Sequence, residues 1–159
     1  MGYKEVEKIE FNQSGYLMGK EGICDTLVLG WLESDGGHPS ASAIVFANVA
    51  HNKKLQFSQL LTAGGYNLVM SSMEETTNAN EVVSTAMRPF SKVLIRLGGP
   101  KIGHAVGVMT SMPGSYRFFD PNEGICVIED DASGTWLADR LLVAKFSEGY
   151  NEYITVSFY

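Results

Sequence analysis

Three side chains have the types and the chain order that nucleophilic acyl chemistry uses: a thiol at Cys24, an imidazole at His104 and a carboxylate at Asp120. The thiolate is the working form of such a nucleophile, and both a helix N-terminus and a neighbouring imidazolium favour it. His104 would supply that positive charge and then pass a proton to the leaving group. Asp120 would accept a hydrogen bond from the second ring nitrogen, fixing tautomer and orientation. The backbone N–H of Cys24, at a helix start, would be one oxyanion donor. A side-chain amide upstream would be the second, with Gln13 and Asn12 as candidates. This chemistry calls for no cofactor and no metal.

The positioning elements follow from the local patterns. Cys24, Leu27, Val28, Trp31 and Leu32 recur at helical spacing and form one apolar face. Gly22 precedes that helix and Asp25 falls in its first turn, where the dipole favours a carboxylate. Gly103 to Thr110 and Tyr116 to Asp120 read as two strands joined by a Ser-Met-Pro-Gly-Ser turn. His104, Val106 and Val108 share one face of the first strand; Tyr116, Phe118 and Asp120 share one face of the second. Pro121 biases Asp120 toward extended geometry at the strand end. His104 and Asp120 stand 16 apart, so direct opposition requires a turn centred on residue 112. A tight Pro113-Gly114 turn would set His104 opposite residue 123. The spacing therefore predicts a wider loop, from Thr110 to Gly114.

The rest of the chain reads as an extended or irregular lead-in over 1–21, with helices over Ser40–Ala50, Leu55–Leu61 and Glu74–Met87. Tyr66 to Met70 is ambiguous. Strands follow at Lys92–Leu97 and Ile125–Ile128. Asp130, Asp131 and Ser133 can cap a helix through Trp136, Leu137, Leu141 and Ala144, and Tyr153–Tyr159 alternates as a last strand. Helices in the N-terminal half and an antiparallel sheet in the C-terminal half make an α+β domain. The 159 residues fit one domain, 1–159.

Composition removes several classes of function. Hydrophobic residues are 45% and charged residues 19%, an ordinary globular balance. The net charge of −6 and the lack of a basic run argue against nucleic acid. No apolar run approaches a membrane span. Acidic residues precede any apolar core at the N-terminus, which argues against a signal peptide, and Val6 breaks the myristoylation pattern. The two cysteines, Cys24 and Cys126, are too few for a disulfide scaffold and lack metal-finger spacing. A zinc site from Cys24, Cys126 and His104 has no ligand spacing behind it. Folding in a reducing compartment is the simpler reading.

Gly22-Ile23-Cys24 opening a helix that contains Trp31-Leu32, then Gly103-His104-Ala105-Val106, then Phe119-Asp120-Pro121-Asn122, resembles the YopT and avirulence-protease group of papain-like cysteine peptidases. These are bacterial effectors delivered into other cells. The resemblance implies a papain-like fold with Cys24 as nucleophile, His104 as base and Asp120 as orienting acid. It also implies a protein substrate in a target cell and, for a toxin, an immunity or inhibitor protein. Folding in the bacterial cytoplasm would precede export by a specialised secretion system. The segment from Gly36 to Pro100 carries no recognised motif.

Rival readings keep or discard the triad. The catalytic domain of the Pasteurella mitogenic toxin has similar chemistry and deamidates glutamine, so a deamidase or transglutaminase-type toxin is one alternative. Cell-wall amidases of the NlpC/P60 type also pair a Cys helix with a Gly-His strand. A non-catalytic binding domain on the same fold is a third. In that case Cys24 is a small core hydrophobe, His104 a satisfied core histidine and Asp120-Pro121-Asn122 ordinary turn chemistry. Fast alkylation by an epoxide separates enzyme from binder.

Overall fold

The computed structural model describes residues 3–12, 24–34, 47, 57–98 and 104–159. Its strands are β1 (Lys4–Glu10), β2 (Met70–Thr76), β3 (Ser91–Gly98), β4 (His104–Met112), β5 (Ser115–Asp120), β6 (Gly124–Glu129) and β7 (Glu152–Phe158). Its helices are α1 (Cys24–Glu33), α2 (Phe57–Ala63), α3 (Ala79–Ala86) and α4 (Thr135–Glu148). The strands form one seven-stranded sheet in the order β1-β6-β5-β4-β3-β7-β2, and every neighbouring pair is antiparallel.

The central strands are covered on both faces. On one face α1 packs through Leu27, Val28 and Trp31 onto Leu94, Ala105, Phe119 and Val156. On the other, α3 and α4 bring Val82, Val83, Trp136, Leu137 and Leu141 onto Val93, Ile95, Val106, Val108 and Phe118. Two-sided burial explains why Val93-Leu94-Ile95 and Phe118-Phe119 read as unbroken apolar runs. The face sharing expected of Val106 and Val108, and of Tyr116 and Phe118, is observed. The two core faces also correct one expectation. Helices from the N-terminal half do not alone cover a C-terminal sheet: α4 lies late in the chain, and the early segments supply both edge strands, β1 and β2.

Two further segments differ from expectation. Glu74–Met87 is not one helix: β2 runs through Thr76, and α3 begins only at Ala79, capped by Asn78, whose side chain accepts from the Asn80 N–H at 2.9 Å. The β4–β5 connection is a tight Pro113-Gly114 turn, not a wide loop. Gly114 has φ +91°, and a Cβ there would stand 2.7 Å from the Asp130 carbonyl oxygen. Proline followed by a positive-φ glycine is type II turn chemistry. A bulge between Thr110 and Met112 absorbs the odd residue. The helix expected at Leu55–Leu61 is present as α2. Of the helix expected at Ser40–Ala50, only Ala47 lies among the described residues, and it is helical.

Candidate active site

Helix α1 lies against β4 because β4 has a glycine where the two touch. A Cβ at Gly107 would stand 2.8 Å from Val28 Cγ1 and 2.9 Å from Trp31 Cε3. Only hydrogen permits that approach. Counting back from the contact, Trp31 to Cys24 is about 10 Å of helix. Gly107 to His104 is about 10 Å of strand. The first residue of each element therefore arrives at the same end of the domain, and Cys24 stands near enough to the His104 ring to bear on its charge. A second tie holds the helix start: Asp25 accepts from Arg96 Nη2 of β3 at 2.7 Å, and Arg96 pairs in register with Ala105 of β4.

The other side of the ring meets Asp120. His104 Nε2 and Asp120 Oδ1 are 2.7 Å apart, and both residues are buried, at 9% and 6% exposure. In register, Gly107 opposes Phe119, so Asp120 opposes Val106 and sits diagonally from His104. Direct opposition is not needed, since diagonal neighbours on one sheet face lie within reach of long side chains. With Nε2 engaged by Asp120, Nδ1 is the ring nitrogen left to the thiol. The Tyr150 ring lies nearly parallel to the imidazole, centroids 6.5 Å apart.

Asp120 is also a turn residue. Its Oδ1 accepts from the Asn122 N–H at 2.9 Å, and its carbonyl accepts from the Glu123 N–H at 2.9 Å. Asp followed by Pro is common in such turns. Its second oxygen, Oδ2, accepts from Arg140 Nη2 of α4 at 3.0 Å, and the same guanidinium nitrogen reaches Glu123 Oε2 at 2.5 Å.

These contacts set the charges. Burial alone would push His104 down, but the hydrogen bonds and charges of Asp120 and Cys24 outweigh it and hold the ring up at about 10. Burial would raise Asp120, yet the His104 contact, the Asn122 N–H and Arg140 keep it below the usual carboxylate range. The site favours an imidazolium on an ionised carboxylate, with Cys24 beside the ring.

Of the residues singled out from sequence, Cys24, His104 and Asp120 come together. Asn12 lies among the described residues after β1; Gln13 lies outside them, as do the residues just before Cys24. Cys126 is half-buried on β6, and burial followed by the nearby Glu5 pushes its thiol up. Among the described residues no cluster of metal-ligating side chains occurs, and no helix is long and apolar enough to cross a membrane. Arg140 and Tyr150 were not singled out. Arg140 had a signal: it falls between Leu137 and Leu141 on the apolar side of α4, a charge inside a buried stripe.

No protein-family model matches the sequence, and no curated protein matches it. Solved structures do. The Pseudomonas avirulence protein AvrPphB aligns over 93% of this chain and 100% of its own, with a TM-score of 0.60 and 14% identity. PatoxP, a cysteine protease-like domain of the Photorhabdus asymbiotica toxin PaTox, aligns over 97% of this chain and 54% of its own, with a TM-score of 0.51 and 14% identity. A ubiquitin-specific protease encoded by a murine cytomegalovirus tegument protein aligns over 100% of this chain and 86% of its own, with a TM-score of 0.50 and 14% identity. At that identity the likeness speaks for the fold alone: this α+β chain has the fold of papain-like cysteine peptidases, including bacterial effectors.

Proposed function

We propose that the protein is a cysteine peptidase, a single catalytic domain in which Cys24 is the nucleophile at a helix start, His104 the acid and base, and Asp120 the group that orients the ring. The carrying observation is the buried His104–Asp120 contact at 2.7 Å, with helix α1 starting at Cys24 near the same ring. Cys24 reacts as the thiolate beside the His104 imidazolium, and the sulfur attacks an amide carbonyl carbon. The carbonyl oxygen takes the negative charge, stabilised by the Cys24 N–H and, in this reading, a Gln13 amide. The C–N bond breaks as His104 returns the proton to the departing amine, leaving a thioester. His104 then takes a proton from water, hydroxide displaces the sulfur, and the acid product leaves with the thiolate–imidazolium pair restored. The substrate is a protein of a target cell, reached after export from a bacterial cytoplasm, and the activity is that of an effector or toxin. The bacterial effector and toxin among the structural neighbours support this part of the reading.

The test compares target-cell lysate treated with the protein and with its Cys24→Ala variant, read by mass spectrometry. New peptide termini that require Cys24 are expected. Intact proteins with glutamine converted to glutamate would replace peptidase by deamidase. No Cys24-dependent change, together with slow epoxide labelling of Cys24, would leave a binding domain.

A further inference from the structure

We propose that Arg140, anchored by Glu123, is a positioning residue of the triad that holds the Asp120 carboxylate ionised and aimed at His104; the inference rests on the triad reading above. Asp120 has two oxygens, and each has a dedicated partner. Oδ1 serves His104 Nε2 at 2.7 Å and the Asn122 N–H at 2.9 Å. Oδ2 serves Arg140 Nη2 at 3.0 Å. Without the last contact, the carboxylate could rotate about its terminal torsion, which is broad, and present either oxygen to the ring.

Arg140 comes from α4, an element that otherwise packs apolar side chains on the sheet. Its own side chain is 27% exposed while that of Asp120 is 8% exposed, so the cation reaches inward from the rim. Glu123, on the turn after β5, is 52% exposed in its side chain and takes the other contact of Nη2. It anchors the guanidinium on the solvent side and offsets part of its charge. The order from solvent to thiol is Glu123, Arg140, Asp120, His104, Cys24, with alternating formal charge when the ring is protonated and the thiol ionised.

Among the described residues, the Asp25–Arg96 pair stands at the start of α1 next to Cys24. Tyr150 stacks on the ring ahead of β7. Cys126 of β6 feels both Arg140 and Glu123, together with Glu5 and Lys8 of β1. On acidification, Asp120 is the buried member whose protonation removes the support of the imidazolium. A cation within about 4–6 Å typically lowers a carboxylate by one to three pH units. Arg140 therefore sets how far the site can be acidified before the row collapses.

The experiment needs no substrate. The full chain is alkylated with iodoacetamide from pH 4 to 9, as roughly the span over which carboxylates and imidazoles titrate, and mass spectrometry separates Cys24 adducts from Cys126 adducts. Arg140→Met is expected to move the acid limb of Cys24 labelling up by about one pH unit. It should also slow labelling near neutrality by about tenfold. Arg140→Lys, which keeps the charge, should return most of the limb. Glu123→Gln should move the limb the other way, because the guanidinium then acts on Asp120 alone. Opposite displacements by two neighbouring variants are not what a purely structural role gives, and the exposed Glu123 position keeps the test usable should Arg140→Met fail to fold. Asp120→Asn is the reference. If it changes Cys24 labelling while the Arg140 and Glu123 variants do not, or if those two move the limb in the same direction, Arg140 is not a positioning residue and the triad stands. If Asp120→Asn itself changes nothing, the triad reading falls.

Discussion

Replacing Asp120 by asparagine keeps the side-chain shape and removes the charge that faces His104. Moving an imidazole from 6.5 to about 10 corresponds, at about 1.4 kcal/mol per pH unit, to roughly 5 kcal/mol of preference for the protonated ring in the folded chain. Asp120 is the foremost support of that charge, and a charged buried hydrogen bond of this kind is worth about 1.5–3 kcal/mol. In a domain of this length such a loss lowers the melting temperature by about 5–10 °C. The pH dependence carries the sign. His104 is raised on folding, so its contribution is complete below about 6.5 and is lost as the pH climbs through about 10. Asp120 is lowered on folding, so its contribution is present above the ordinary carboxylate value and lost as the pH falls through its depressed one. The gap between wild type and Asp120→Asn should therefore be widest near pH 5–6, on the order set by the reference values, and should close steadily toward pH 10. Calorimetry or circular-dichroism melts across that range measure it. A gap that stays constant with pH would mean that no His104–Asp120 ion pair contributes to the folded state.

Cys24→Ala and His104→Ala should each abolish turnover of a protein substrate while the melting curve keeps its cooperativity, and Cys126→Ala should be almost silent; turnover and melts on the three proteins check this. Gly107→Ala places a methyl group 2.8–2.9 Å from Val28 and Trp31 and should cost about 1–3 kcal/mol by overpacking. It should also slow epoxide labelling of Cys24, because α1 must lift from β4 just where the thiol is registered against His104. Asp25→Asn breaks a pair that is about one-third exposed, so the melting temperature should move little, the pair being worth under about 1 kcal/mol. Labelling of Cys24 should nevertheless slow, by about tenfold or less, if the pair fixes the helix start.

The fold was legible where one period dominated a segment. The face of α1, the paired strands β4 and β5, and the alternation of β7 are all plain in the residue pattern, because each has a buried side that selection of apolar side chains marks. The failures lie at the sheet edges. β2 is Met-Ser-Ser-Met-Glu-Glu-Thr and is mostly exposed, so no buried face imposes a period of two. Beside the helix-forming residues of α3 it reads as a continuation of that helix. β1 has the same difficulty, with five of its seven residues charged and little of it buried. What makes it a strand is the waiting edge of β6, a long-range partner that a local window does not contain.

The site was legible for a different reason, and its missed member shows the limit of that reason. Asp120-Pro121-Asn122 supports both the turn reading and a pairing with His104, and both sets of contacts are present at once. One residue closes the turn, its carboxylate through Asn122 and its carbonyl through Glu123, and the same carboxylate faces His104 from the end of β5. Turn chemistry fixes the backbone that aims the side chain, so here the two readings do not compete. The tight hairpin follows the same logic. The spacing calls for a wide loop only if His104 and Asp120 face each other directly, whereas a diagonal pair needs only a bulge near Ser111 to set the offset. Arg140 belongs to neither pattern. It lies 20 residues from Asp120, on a helix whose apolar spacing accounts for its neighbours without it. A guanidinium inside that stripe must find a carboxylate as it becomes buried. The sequence offered several carboxylates, and only the packing of α4 beneath the β5–β6 turn selects the pair Asp120 and Glu123.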